Sequence, residues 1–365
     1  NAKVLTVSGE VTPEVTAQPD SYNGYDYTPT IVANGDGTYS VTKLTITNVT
    51  PTPTPTPIDP KHTLTAPSRP MREDRHSRMA MHNLWVNGEL NNMQKRMGDL
   101  RAVEPAEAGL WTRYEHDKLE KGNDASLKYN YFQLGYDRDF QGDTGTFYRG
   151  VAFSYGKGTG SYEIGTGDLK EGALTLYQTW IGKSGTYYDI IAKAGKLLND
   201  YNVSATATSN AYTSDYHSWG YSIGGEVGRR FKKDNGFFVE PQLEFTLGRI
   251  NGANYLTSTG MTVNVDKQNT AIARLGVAVG KEIKNEGSYY AQASYYHDFG
   301  GGVNLTASDS TFYPYSYSER SAKNWCVFTL GGTVQTSKNC NIFGALSKYT
   351  GELSNDVQVN IGARW

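Results

Sequence analysis

Few residues of this chain have the type and spacing to do chemistry. The six histidines show no metal-ligand spacing, no glycine loop leads into a helix to cradle phosphate, and no GxSxG elbow occurs, so neither metal nor cofactor is expected. His217 and His297 with nearby serines could in principle supply the base and nucleophile of a hydrolase. Alternation argues against that use, because His217 shares its register with Trp219, Tyr221, Ile223 and Val227, an apolar face. In the hairpin expected to turn near 337–339, Cys326 lies at the far end of its strand and Cys340 beside the turn, on the order of 30 Å apart at about 3.3 Å per residue, beyond disulfide reach. One pair stands out, Asn91-Asn92. Taken alone, these are polar residues of a helix face, hydrogen-bonded and inert.

The pair lies in Met79 to Val103, where Leu90, Met93, Met97 and Leu100 recur at spacings of three and four, and no proline intervenes between Arg72 and Glu104. The spacing predicts an amphipathic helix, with Asn91, Asn92, Gln94, Lys95, Arg96 and Asp99 on the other face. From Gly109 to Trp365 no second helical period follows, only alternation. Tyr216 to Arg229 sets Trp219, Tyr221, Ile223 and Val227 against Ser218, Gly220, Ser222, Gly224, Glu226 and Gly228. Phe237 to Gly248 sets Phe237, Val239, Leu243, Phe245 and Leu247 against Glu240, Gln242, Glu244 and Thr246. Thr146 to Gly156 and Ala271 to Glu282 repeat the pattern, whereas 169–182 and 340–350 alternate poorly. About twelve strands are predicted in 109–365. Short links at 183–185, 283–287 and 337–340 alternate with long ones at 158–168, 200–214, 250–269 and 301–323, as in barrels with turns on one rim and loops on the other.

A soluble β-sandwich also alternates. Aromatic residues near strand ends and glycine-rich polar faces favour instead an all-β transmembrane barrel of about twelve antiparallel strands, with the preceding α-helix inside the pore. The low mean hydropathy of -0.56 agrees, because only alternate residues of such a barrel face lipid. A net charge of -2 gives no basic footprint for nucleic acid. Residues 1–57 form a separate segment, with strand-like VLTVSGEV and TYSVTKLTITNV around the turn-forming NGDG, then TPTPTPTP as an extended spacer. Residues 58–108 hold a linker, loose chain to residue 78, and the helix. The start at Asn1, without methionine or signal peptide, predicts the C-terminal part of a longer precursor.

The texts NNMQKRMGDLR, EAGLWTRYE, YNYFQLGYDRDF, GGEVGRRF, FVEPQLEF and the aromatic end DVQVNIGARW resemble, in order and spacing over about 270 residues, the translocator domain of autotransporters, the monomeric type Va secretion proteins of Gram-negative bacteria. The resemblance implies a bacterial outer-membrane barrel surrounded by lipid, exporting and anchoring its own passenger at the cell surface. Its implied partners are periplasmic chaperones and the outer-membrane barrel assembly machinery, which would read the last strand. A porin-like diffusion channel is the alternative, although a porin has no use for a helix ahead of its first strand. One branch, the serine-protease autotransporters, cuts itself between two asparagines in a similar ELNN/KRMGDLR context. Carried over, Asn91 would cyclise and release Asn92, with Asp137 and Glu226 holding water and polarising the amide: a single-turnover intramolecular cut, not a turnover enzyme. The TPTPTPTP spacer favours equally a tether that keeps the passenger attached.

Overall fold

The computed structural model describes residues 2–6, 20–22, 25–34, 38–46, 49–50, 61, 63–90, 92–103, 109–122, 125–206, 210–283 and 285–365. The expected spacer from Pro51 to Pro57 lies outside these, as does Asn91. Ahead of it, Ala2–Thr6, Asp20–Tyr22, Tyr25–Ala33 and Thr38–Ile46 pair as a small antiparallel sheet; of the predicted turn NGDG, residues 35–37 lie outside the described residues.

Twelve strands close into a barrel. They are β1 (Leu110–Lys121), β2 (Ala125–Gln141), β3 (Gly145–Tyr162), β4 (Gly165–Gly182), β5 (Thr186–Val203), β6 (Tyr212–Arg229), β7 (Phe237–Ile250), β8 (Gln268–Ile283), β9 (Gly287–Asp298), β10 (Asn324–Ser337), β11 (Cys340–Gly351) and β12 (Gln358–Arg364). Each pairs antiparallel with its neighbour in sequence, and β12 pairs with β1 from Val359↔His116 to Arg364↔Trp111. Reciprocal bonds of 2.9 Å between the backbones of Leu110 and Trp365 finish the seam. Closure satisfies the strand-edge N–H and C=O groups, each of which would cost several kcal/mol if orphaned in hydrocarbon.

Alternation decides which side chains meet lipid. Phe153, Leu176, Ile223, Leu243, Leu275 and Ile361 are exposed, while Glu171, Glu226, Glu240, Arg274 and Asn360 are buried on the lumen side. β4 and β11 alternate after all. Their pattern is blurred in sequence because Leu169, Ala173 and Tyr177 of β4, and Phe343 and Tyr349 of β11, are apolar residues that point inward. The expected loop 158–168 is strand instead, with β3 running to Tyr162 and β4 starting at Gly165. Its glycines are not turn residues; Gly158, Gly160, Gly165 and Gly167 occupy the inner face. The long connections 250–269 and 301–323 are also ordered, as Ala253–Leu256, Thr262–Val265, Gly302–Ser308 and Tyr315–Arg320 form one four-stranded antiparallel sheet at the long-loop rim.

The helix differs from the expected Met79–Val103. Helix α1 spans Arg69–Glu89, so residues 69–78, expected as loose chain, are helical. Ser68 caps it, its hydroxyl accepting from the Met71 N–H at 3.4 Å, and Pro70 falls in the first turn, where its missing N–H costs nothing. The helical pattern then breaks: Leu90 leaves helical geometry at ψ 61°, and a short α2, Met93–Met97, begins behind Asn92 as its cap. Gly98 ends α2 at φ 70°, where a side chain would also press on Phe343 and Thr333. Both helices thread the barrel. Leu90, Met93, Met97 and Leu100 are buried as predicted, but so are Gln94, Arg96 and Asp99, because the wall surrounds the helix on every side.

Candidate functional site

The lumen is filled by charge, and each helical charge meets a wall residue placed by strand register. At the level of the helix break, Glu115 of β1 accepts hydrogen bonds from Asn87 of α1 and from the Tyr129 hydroxyl at 2.9 Å. Its other oxygen faces Lys95 of α2 at 3.6 Å and Arg113 at 3.1 Å. Glu115 therefore holds both sides of the break. Asn92 is half-buried, and its side chain accepts from the Lys95 N–H at 2.9 Å.

Asp137 lies in a second network, toward the short-turn rim. Arg364 of the last strand grips both its oxygens, at 2.5 and 2.9 Å, and the Tyr177 hydroxyl donates at 2.6 Å. Arg96 of α2 stacks over the Tyr177 ring, 4.2 Å from its centroid, and pairs with Asp189 at 2.7 Å. Glu226 lies in a third. It accepts from the Tyr187 hydroxyl and faces Arg274 at 3.2 Å, which also binds Glu244 at 2.6 Å. Arg101 stacks over Tyr187 and reaches Glu240 at 3.0 Å, while Arg230 ties Asp99 to Glu240, both at 2.7 Å. Lys95, Arg96 and Arg101 thus each meet a wall carboxylate, Glu115, Asp189 and Glu240 respectively.

Buried ion pairs add little net stability, but breaking one is costly, so these networks fix the depth and rotation of the helix. Asp137 and Glu226 thus pair with the wall arginines Arg364 and Arg274 in two separate places, and reach Arg96 and Arg101 only through the Tyr177 and Tyr187 rings, while Asn92 serves as a cap. Sequence reasoning missed Glu115, Asp189, Arg274 and Arg364 as partners. All four sit in inward registers, but register alone cannot pair residues as far apart as Asp137 and Arg364, 227 positions along the chain. His217 points outward and is exposed, in line with its apolar register. Among the described residues no group of histidine, cysteine or carboxylate side chains could hold a metal ion.

A closed twelve-stranded barrel, apolar outside and plugged by a charge-paired helix, defines a transmembrane translocator barrel. The family model for the autotransporter beta-domain matches residues 109–347, and the chain belongs to that family. It is 31% identical over 227 residues to the pertactin autotransporter of Bordetella parapertussis, a match covering 60% of this chain and 24% of the relative. It is 33% identical over 202 residues to the serine protease pet autotransporter of Escherichia coli, covering 54% of this chain and 15% of the relative. The chain thus spans a quarter or less of these relatives' length. Among solved structures, the translocator domain of NalP from Neisseria meningitidis superposes with a TM-score of 0.60 at 13% identity, over 80% of this chain and 96% of that one. The beta domain of Bordetella BrkA gives 0.57 at 23% identity, over 71% and 98%. Membership of the autotransporter beta-domain family places the protein in the bacterial outer membrane.

Proposed function

We propose that this barrel exports its own N-terminal passenger and then anchors the chain in the outer membrane, with residues 1–57 the end of that passenger and its spacer, 58–108 the linker and pore helix, and 109–365 the translocator. One observation carries the proposal. Among the described residues one chain segment occupies the lumen, from Ser68 at the long-loop rim to Val103 on the short-turn side ahead of β1, as a chain threaded outward would. Periplasmic chaperones and the barrel assembly machinery deliver it, and a monomer suffices because one chain closes the barrel. Protease added to intact cells should remove residues 1–57 and leave the barrel whole; resistance of that segment in cells would overturn the orientation.

We further propose a cut at Asn91-Asn92. The side-chain nitrogen of Asn91 attacks its own main-chain carbonyl carbon, the bond to the Asn92 nitrogen breaks, and a proton passes from attacking to leaving nitrogen, leaving a succinimide and a free amine. A continuous helix does not offer that approach, and the helix break on both sides of the pair supports it. Glu115, bracketing the break, is the acid best placed to carry the proton; Asp137 and Glu226 act as positioning residues through Arg96 and Arg101. Mass spectrometry of the folded protein should find two fragments in wild type and one full-length chain in Asn91→Ala. Glu115→Gln should slow the cut by on the order of 10²- to 10⁴-fold. An intact wild-type chain after long incubation would leave Asn92 as a cap only and the passenger tethered.

A further inference from the structure

Outside the lumen, five neighbouring strands carry exposed lysines at one height: Lys118 on β1, Lys128 on β2, Lys157 on β3, Lys170 on β4 and Lys196 on β5. Lys118 stands directly opposite Lys128, and Lys157 directly opposite Lys170. Like charges so placed repel one another, since opposed Cβ atoms are about 5 Å apart. Lys118 is answered by Glu120 at 2.5 Å. Among the described residues no ion pair joins the other four to a carboxylate. Their height is set by what lies below, because toward the short-turn rim the same faces continue with Phe132 and Leu134, Phe153 and Tyr155, and Leu174 and Leu176, all exposed. The lysines therefore mark the outer boundary of the apolar band. The far wall lacks the pattern: Arg249 bonds to Asn269, and Lys348 bonds to the carbonyls of Asn355 and Asp356.

We infer that this belt binds phosphate groups of a phosphorylated glycolipid in the outer leaflet. The lysine stems can lie along acyl chains while the ammonium heads meet phosphate, which removes the repulsion between opposed pairs. Asp168, Asp200 and Asp215, opposed to one another one step further out, repel phosphates from that height and hold them at the lysine level.

Native mass spectrometry of the full chain in neutral detergent, titrated with lipid A, tests the assignment. Wild type should retain lipid A at least tenfold more tightly than a variant carrying Lys128→Gln, Lys157→Gln, Lys170→Gln and Lys196→Gln, and the arginine versions should retain it. Retention should fall with added salt. Heat-modifiable migration identifies folded protein in each case. Equal retention by the folded glutamine variant, loss in the arginine variant, or equal retention of dephosphorylated lipid A by wild type would each overturn the proposal. Inorganic phosphate bound as tightly as lipid A would overturn the choice of a lipid.

Discussion

Arg364→Met should destabilise the folded barrel by about 3–5 kcal/mol, the cost of leaving a buried charge without its partner. Asp137 is fully enclosed, and Arg364 supplies both of its ionic contacts, so removal leaves the Tyr177 hydroxyl as its remaining side-chain partner. The loss falls on β12, joining the strand to the opposite side of the seam. Urea unfolding followed by heat-modifiable migration gives the measurement. Asp137→Asn combined with Arg364→Met should recover most of the stability, because the orphaned charge goes with its partner. A double variant as unstable as the single one would mean that Arg364 acts through packing and not through Asp137.

Gly220→Leu should unplug the barrel. A Cβ at Gly220 would sit 2.8 Å from the Trp85 ring, and the ring is wholly buried between α1 and the wall, so a full side chain forces the helix aside. Gly156 is a gentler site, where the new atom meets Leu84 at 3.3 Å. Planar-bilayer recordings should show a small, intermittent conductance for wild type and a large steady one for Gly220→Leu, with Gly156→Ala near wild type. Steady large conductance from wild type itself would favour a diffusion channel over a plugged translocator.

The wall was legible in the sequence because facing in a strand is a local property. Trp219, Tyr221 and Ile223 needed only their own alternation to be placed against lipid, and Glu240 and Glu244 to be placed inside. The helix was half legible. Its apolar spacing from Leu90 to Leu100 survives in the structure, but its true start depends on Ser68 and Pro70, a cap signal lying in a charged stretch that resembles linker. The break is invisible to periodicity, since Leu90 and Met93 remain buried whether or not the chain stays helical between them. The glycine run from 156 to 167 misled for a related reason. Glycine marks turns in most contexts, whereas here its missing side chain makes room for the inner contents of the barrel.

The twelve seams of the barrel are unequal. β4 and β5 are stitched from Gly165↔Val203 to Ile181↔Tyr187, but β12 meets β11 from Asn341↔Arg364 to Ser347↔Gln358 and β1 from Val359↔His116 to Arg364↔Trp111, with the Leu110–Trp365 bonds below and Ser354 and Asn355 as a brief clasp above. A cylinder unzips along its shortest row of teeth. The short last strand, held by brief rows on both of its sides, is where the finished wall would part most readily, and its edge with the first strand is where a growing sheet would complete its circle last.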